Sequence, residues 1–441
     1  MREMKDSGIE WIGEIPADWK VIKNKYLLSL LYSGGTPSVS NNDFYCVEGG
    51  TPFVSISDMS TVDYVLSTQK RLTDSGLKDK NLKILPIGTI LYSIYATVGA
   101  VSELKIEAAI SQAMLALQVN SKVDKSFYKY NLAAMKDYIF SNANGNTQFN
   151  LNAEKVKNFY FVLPNVATQR RIANYLDHKC SQIDAIIARQ QEVIEKLKAY
   201  KLSVITEAVT KGLNPNVPMK DSGDDFIGVM PGHWNIAKLG MLFDFLGGYA
   251  YNSDSYTSES DNQVIRIGNV KSGYMALENN PVYISDEIAS ATDKFRINPG
   301  SILFTMTGTK GKRDYFFTHL VAEQDCKGKK LFLNQRVGCF IPKESIDAGY
   351  YNYLLKENRI LDAIFVYETG TANQGNLGIE SIRRTKVQLP SKDEQVKIRE
   401  YLDNRCAKIE GLLTRKSEII CRLMAYKKSL IYEVMTGKKE V

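Results

Sequence analysis

Side chains able to do covalent chemistry are few and poorly grouped in this sequence. The three histidines, His178, His233 and His319, show no pairing at metal-ligand spacing, and the six cysteines include no CxxC pair. No GxSxG elbow and no GxGxxG turn after a strand is present. TMTGTKGKR, from Thr305, has the glycine and lysines of a phosphate loop. However, Met306 stands five places before Gly311 and Arg313 follows Lys312, so the P-loop pattern fails. The Asn- or Asp-Pro-Pro-aromatic tetrad of amino-methyltransferases is missing too. The chain reads as non-catalytic, with no metal site.

The elements that hold the remaining polar side chains are set by an internal repeat. LPNVATQRRIANYLD, from Leu163, returns as LPSKDEQVKIREYLD, from Leu389, at an offset of 389 − 163 = 226. Gln169/Gln395, Asp177/Asp403, Cys180/Cys406 and Tyr200/Tyr426 match without a gap. Leu176, Cys180, Ile183, Ile187, Gln190, Ile194, Leu197, Lys201, Val204 and Ala208 follow alternating four- and three-residue steps, the seam of a coiled coil. Leu402 to Val434 keep the same phase. Ser391 with Glu394 reads as a capping box, Asn165 and Thr168 make a weaker start, and Gly212 and Gly437 end the two helices. Gln190, Lys201, Lys416 and Lys427 interrupt the seam, either to fix register or as snorkelling lysines.

The 32 steps from Leu176 to Ala208 span about 48 Å. The body between the helices has a radius of gyration of about 15 Å, so its ends cannot sit that far apart. The pattern therefore predicts an antiparallel helix pair.

A second repeat precedes each globular region. MKDSGIEWIGEIPADW, from Met4, returns as MKDSGDDFIGVMPGHW, from Met219, at an offset of 219 − 4 = 215. Gly, Pro and Asp mark it as an irregular strap whose tryptophan plugs into the domain behind it. β-branched and aromatic runs predict strands from Thr51, Gly88 and Ala113, and from Asn262, Gly300 and Arg336. Short helices are expected over 125–140 and 349–367.

The predicted fold is α+β, with two strand-rich domains joined by two long antiparallel coiled-coil helices in an internal pseudo-twofold repeat. Its parts are residues 1–162 and 216–388 for the domains, and 163–215 and 389–441 for the helices. The net charge of +7 is a mild basic excess that permits a polyanionic partner. The opening MREMKDSGIEW is charged, and no apolar run approaches the roughly 20 residues that cross a bilayer, so no membrane role and a cytoplasmic location are expected.

The strap, its reprise and the doubled LP…Q…I…YLD…I helix start resemble the specificity (S, HsdS-type) subunit of type I restriction-modification enzymes. The resemblance spans the whole chain. It implies that each globular region is a target recognition domain reading one half of an asymmetric, bipartite double-stranded DNA target. It also implies that the helices dock two methyltransferase (M) subunits, that restriction (R) subunits join them, and that S-adenosylmethionine and ATP with Mg are held by those partners, with no cofactor in this subunit. A protein-binding scaffold with a coiled-coil spacer and no DNA role is the competing reading.

Residues that distinguish two half-sites must lie where the copies differ and must supply donors or acceptors. In the first domain these are Thr36, Ser38, Tyr92, Tyr95, Thr97, Asn144 and Asn146, and in the second Tyr249, Tyr251, Thr307, Lys310, Lys312, Arg313, Arg336 and Thr371. Phosphate contact suits the lysines, and guanine readout is open to Arg313 and Arg336. Gln148 and Gln374 occur in both copies, so they shape their loops or touch phosphate. The bland alternatives are a simple turn at Gly34–Pro37, core tyrosines and solvated lysines. Off the seam, Ile186, Ile205, Leu412 and Ile431 are apolar candidates for partner docking.

Overall fold

The structure is a computed structural model that describes residues 2–141, 151–371 and 373–441. The repeat at Leu163 becomes a 46-residue helix, Val166–Lys211, and its partner a 44-residue helix, Lys392–Met435. The Asn165 side chain accepts from the Thr168 amide, so the weaker-looking start is capped as well. At the second start, Ser391 Oγ accepts from the Glu394 amide. Gly212 and Gly437, both with positive φ, end the helices where any other residue would be strained.

The chain divides into two compact units, Met1–Gln191 with Ser417–Val441 (unit 1) and Glu192–Lys416 (unit 2), so each unit draws on half of each long helix. In unit 1 the beginning of the central helix (Ile172, Leu176, Ile183) packs with the end of the C-terminal one (Leu430, Val434, Met435). In unit 2 the end of the central helix (Val204, Ala208, Val209) packs with Ile398, Leu402 and Cys406. Within each unit the helices are therefore antiparallel.

Seam residues are buried or half-buried throughout. The two interrupting lysines that stand in register do one job twice. Lys427 Nζ donates to Asp184 at 2.7 Å in unit 1, and Lys201 Nζ donates to Glu410 in unit 2. Lys427 and Glu410 lie 226 places beyond Lys201 and Asp184, the repeat offset. Such part-exposed pairs are worth at most about 1 kcal/mol each, so their effect is on register more than on stability.

Unit 1 carries an antiparallel four-strand order, Leu28–Ser33, Met114–Val119, Ile90–Ser93 and Val101–Leu104, extended by a parallel edge at Tyr64–Val65. Unit 2 has the same order in Phe243–Gly247, Val337–Pro342, Ile302–Thr305 and Thr318–Leu320. Each expected run contains a strand: Thr51 and Asn262 begin theirs, while the runs from Gly88, Ala113, Gly300 and Arg336 enter theirs one or two residues later. Each expected short helix is split in two, Lys125–Ala134 with Lys136–Ser141, and Ala348–Leu354 with Asn358–Phe365.

Each strap folds into a two-stranded hairpin, Met4–Asp6 with Glu14–Pro16 and Met219–Asp221 with Val229–Pro231. Trp19 is 2% exposed and Trp234 is fully buried. A Cβ on Gly437 would lie 3.2 Å from the Trp19 ring, and one on Gly212 would lie 3.3 Å from the Trp234 ring. The repeated glutamines are buried braces. Gln169 accepts from the Asp124 amide and donates to Pro164 and Lys122 carbonyls, while Gln395 accepts from the Asp347 amide and donates to the Pro390 carbonyl. The repeated aspartates likewise take tyrosine hydroxyls, Tyr130 on Asp177 and Tyr353 on Asp403.

Two stability effects follow. Trp19→Ala should cost about 3–5 kcal/mol, read as a lower urea midpoint, and an unchanged midpoint would contradict the plug. Glu103 is buried and receives Lys105, Lys125 and Lys129 at 2.9, 2.9 and 3.1 Å. Burial raises its pKa, but those three donors outweigh burial and hold the carboxyl at about 2, against 4.5 for the free group. Since the folded pKa is the lower one, the contribution is complete above about pH 5 and disappears as the pH falls towards 2. The stability gap between wild type and Glu103→Gln should close over that range.

Candidate functional site

In both units the four core strands end so that three loops meet at one sheet edge. In unit 1 the strand Leu28–Ser33 runs into Gly34–Thr36, Ile90–Ser93 runs into Ile94–Gly99, and Gln112 and Ala113 lead into Met114–Val119. The loops are stitched together. The Gln112 amide donates to Thr36 Oγ1 at 3.3 Å, the Ile94 amide to the Ala113 carbonyl, and Ser93 Oγ to the Tyr95 carbonyl. A Cβ on Gly34 would fall 2.3 Å from the Ser111 carbonyl oxygen, so glycine is required where the first loop crosses the edge. Tyr95, Thr97 and Ser38 are exposed there, and Thr36 is half-buried. Asn144, Asn146 and Gln148 lie outside the described residues.

Tyr92 does not belong to this set. It is fully buried, its ring meets Phe159 edge-on at 6.4 Å, and burial drives its hydroxyl pKa far up. Both faces of its strand are buried, with Ile90 and Tyr92 in one core and Leu91 in another, so the bland reading of the tyrosines as core holds here.

Unit 2 repeats the layout with different chemistry. The Met306 amide donates to the Arg336 carbonyl at 3.1 Å and the Tyr249 amide to the Leu333 carbonyl at 2.8 Å, which brings three candidate loops together. A Cβ on Gly248 would fall 1.9 Å from the Asn334 carbonyl oxygen, matching the clash at Gly34. Tyr249 and Arg336 are exposed. Tyr251, in contrast, is 8% exposed and its hydroxyl donates to Thr292 Oγ1 at 3.1 Å, so it too is core and drops out as a reader.

Among the described residues the two edges differ most in a hairpin loop. The amide-to-carbonyl bond that closes it runs from Ser93 to Ala100 in unit 1 and from Thr305 to Phe317 in unit 2, so the second loop is five residues longer (12 against 7). Those residues carry Lys310, Lys312 and Arg313, all exposed. The polar glycine loop before the C-terminal helix joins them in a three-stranded sheet, Thr307–Gly308, Gln374–Asn376 and Thr369–Thr371. Six candidates, Thr307, Lys310, Lys312, Arg313, Thr371 and Gln374, thus share one small structure, although the sequence separates them by up to 67 places (374 − 307).

Several of its partners carry no signal in the sequence. Lys310 Nζ donates to the Gly370 carbonyl at 2.9 Å. Arg313 has a left-handed backbone (φ 50°), pairs with Asp362 at 2.5 Å and lies 5.8 Å over the Phe365 ring. One arm of its exposed guanidinium is therefore held by Asp362, which leaves Arg336 as the better placed of the two for bidentate contact. Asp362 and Glu368 were invisible as site residues because they bear the wrong charge for a polyanion surface. Gln112 and Gln335 sit exposed at equivalent places on the two edges, and their identity in both copies hid them.

The histidines are singly engaged or exposed. His233 shares Glu394 with the Trp234 indole at 2.8 and 3.2 Å, and His319 meets Asp325 at 2.8 Å, while His178 is exposed on the central helix. Burial raises the Glu394 carboxyl, but the bonds from His233 and Trp234 prevail and lower it. Among the described residues no group of three potential metal ligands converges.

For the helical candidates, Ile186 and Leu412 are 46% and 41% exposed. Ile431 is half-buried in a groove of about 920 Å³ with Trp11, Tyr138 and Met424. Ile205 is not available for docking. It is 7% exposed, within the core that holds Ile227, Trp234 and Tyr350, because the second strap covers that helix face.

Residues 16–196 and 231–419 match the family described as type I restriction modification DNA specificity domain. The chain belongs to this family. Its general function is accordingly that of a type I specificity subunit, recognition of a DNA target. Among relatives, it is 23% identical over 436 residues to the type I restriction enzyme MjaVIII specificity subunit of Methanocaldococcus jannaschii, covering 97% of this chain and 94% of that one. It is 25% identical over 308 residues to the MjaIX specificity subunit of the same organism, covering 67% and 68%. The fold is shared with a chain solved in work on complex assembly and conformational transition of the type I R-M system, with a TM-score of 0.71 at 14% identity over 96% of this chain and 99% of that one.

A simple check separates core from surface. Tyr92→Phe removes a buried hydroxyl that has no hydrogen-bond partner among the described residues, so it should leave DNA recognition intact and stability equal or slightly higher. Loss of recognition on that change would return Tyr92 to the interface.

Proposed function

We propose that the two units read the two halves of an asymmetric, interrupted DNA target, one unit per half-site. The observation that carries this reading is the pair of sheet edges, built alike on four strands and bearing unlike side chains. Thr36, Ser38, Tyr95 and Thr97 offer neutral donors and acceptors on the first edge. The second adds a longer loop with Lys310 and Lys312, and Arg336 beside it. Equal scaffolds with unequal readers suit two different short sequences, where a homodimer would suit a palindrome. Lys310 and Lys312 serve as phosphate contacts and Arg336 as a reader of guanine.

In this reading the subunit is non-catalytic. Two methyltransferase subunits dock on the helices, with Ile186, Leu412 and Ile431 as apolar contacts, and restriction subunits complete the nuclease. S-adenosylmethionine then belongs to the methyltransferase subunits and ATP with Mg to the restriction subunits. The complex acts in the cytoplasm, and no helix among the described residues is long and apolar enough to cross a membrane.

Mapping modified bases in cells that express this chain with its methyltransferase should return one bipartite, non-palindromic motif. A modification pattern without sequence preference would sink the proposal. In binding assays Lys312→Ala should lower affinity similarly for all sequences and reduce the salt slope by about 1, while Arg336→Ala should cost about 1–3 kcal/mol and relax one position.

A further inference from the structure

The long loop of unit 2 would be expected to move freely, since residues 310–314 are all exposed and Gly308 and Gly311 lie in it. It is instead fastened to one carboxylate. Both oxygens of Glu368 accept from the Gly311 amide, at 3.3 and 3.1 Å, and Oε1 also accepts from the buried Tyr315 hydroxyl at 2.7 Å. Space has been cleared for this arrangement. A Cβ on Gly375 would sit 2.3 Å from Glu368 Oε1, 2.7 Å from the Tyr315 hydroxyl and 3.1 Å from the Lys310 Cα. Lys310 reaches the carbonyl of Gly370, two places beyond Glu368, so the loop is fixed on both sides of its glycine.

We propose that Glu368 is a positioning residue for DNA recognition by unit 2. It holds the backbone of the basic loop in one geometry so that Lys310 and Lys312 meet the duplex pre-organised. The proposal rests on the half-site reading given above. A free loop would have to lose its backbone entropy on binding, about 1–2 kcal/mol per ordered residue, and would adapt to wrong sequences as readily as to the right one. A carboxylate beside a polyanion is otherwise unfavourable, which makes its place in the loop's centre informative. The first repeat differs in sequence at both positions. At the offset of 226, Asn142 stands for Glu368 and Phe149 for Gly375. The effect should therefore be confined to one half of the target.

The test uses the full chain co-expressed with its methyltransferase, with modified bases mapped across the genome. Glu368→Ala should lower modification about tenfold or more, or relax the motif, at positions of one half-site only, with the other half unchanged and the melting temperature within about 2 °C of wild type. Gly375→Ala should do the same by displacing the carboxylate, and Glu368→Gln, which keeps an acceptor for Gly311 and Tyr315, should retain most of the wild-type pattern. An unchanged motif and extent of modification in Glu368→Ala overturns the proposal. So does equal loss at both half-sites with a lowered melting temperature, which is the mark of a merely structural residue. If wild type itself gives no bipartite motif, the half-site reading falls first and the role of Glu368 with it.

Discussion

Trp19 lies against Gly437, which is 418 places away in the chain (437 − 19), and Trp234 lies against Gly212. Each tryptophan plugs the spot where a long helix stops and fills it with a large apolar ring. The glycines serve twice, since they turn the chain through positive φ and leave room for the ring. The Tyr432 hydroxyl, donating to the Trp11 carbonyl at 3.0 Å, ties the same helix end to the first strap. Unit 1 is therefore closed by its two most distant segments. Without that closure the seam residues at the helix end and the strap hairpin would both lose their cover.

The seam passes this constraint on. Its fully buried leucines, isoleucines and valines each contribute about 1.5–3 kcal/mol and its half-buried ones less, and the two paired lysines, Lys201 and Lys427, choose among the ways the helices could slide. Lys427 on Asp184 and Lys201 on Glu410 occur at the same offset as the repeat, so a shift by one heptad would break both pairs at once. Burial sets how strongly the helices hold, and the ion pairs set where.

On this base the globular parts can differ at little cost. The four-strand order and the glycine crossings at Gly34 and Gly248 recur, as do the braces at Gln169 and Gln395, because they carry packing and buried hydrogen bonds. The loops at the strand ends anchor their bases in the core, at Ile94 and Val98 and at Tyr315 and Phe316, but their tips are exposed, and five extra residues with three positive charges fit into one of them. In the proposed reading, recognition is thereby separated from stability within each unit.

The repeats, the helix seam with its caps, and the strand runs were legible in the sequence, because periodicity and capping are local and each residue type has one physical reason to be there. From those the α+β class, the antiparallel pairing and the family resemblance followed. Tertiary structure alone decided which face each side chain takes. It buried Tyr92 and Tyr251, whose type suits surface or core, covered Ile205 with the second strap, and brought Thr307, Lys310 and Arg313 beside Thr371 and Gln374. It also gave Asp362 and Glu368 their places under the basic loop, a relation between opposite charges some fifty residues apart that no spacing rule encodes. Burial and long-range pairing depend on how the chain closes on itself, and that is fixed only when the strap meets the helix end.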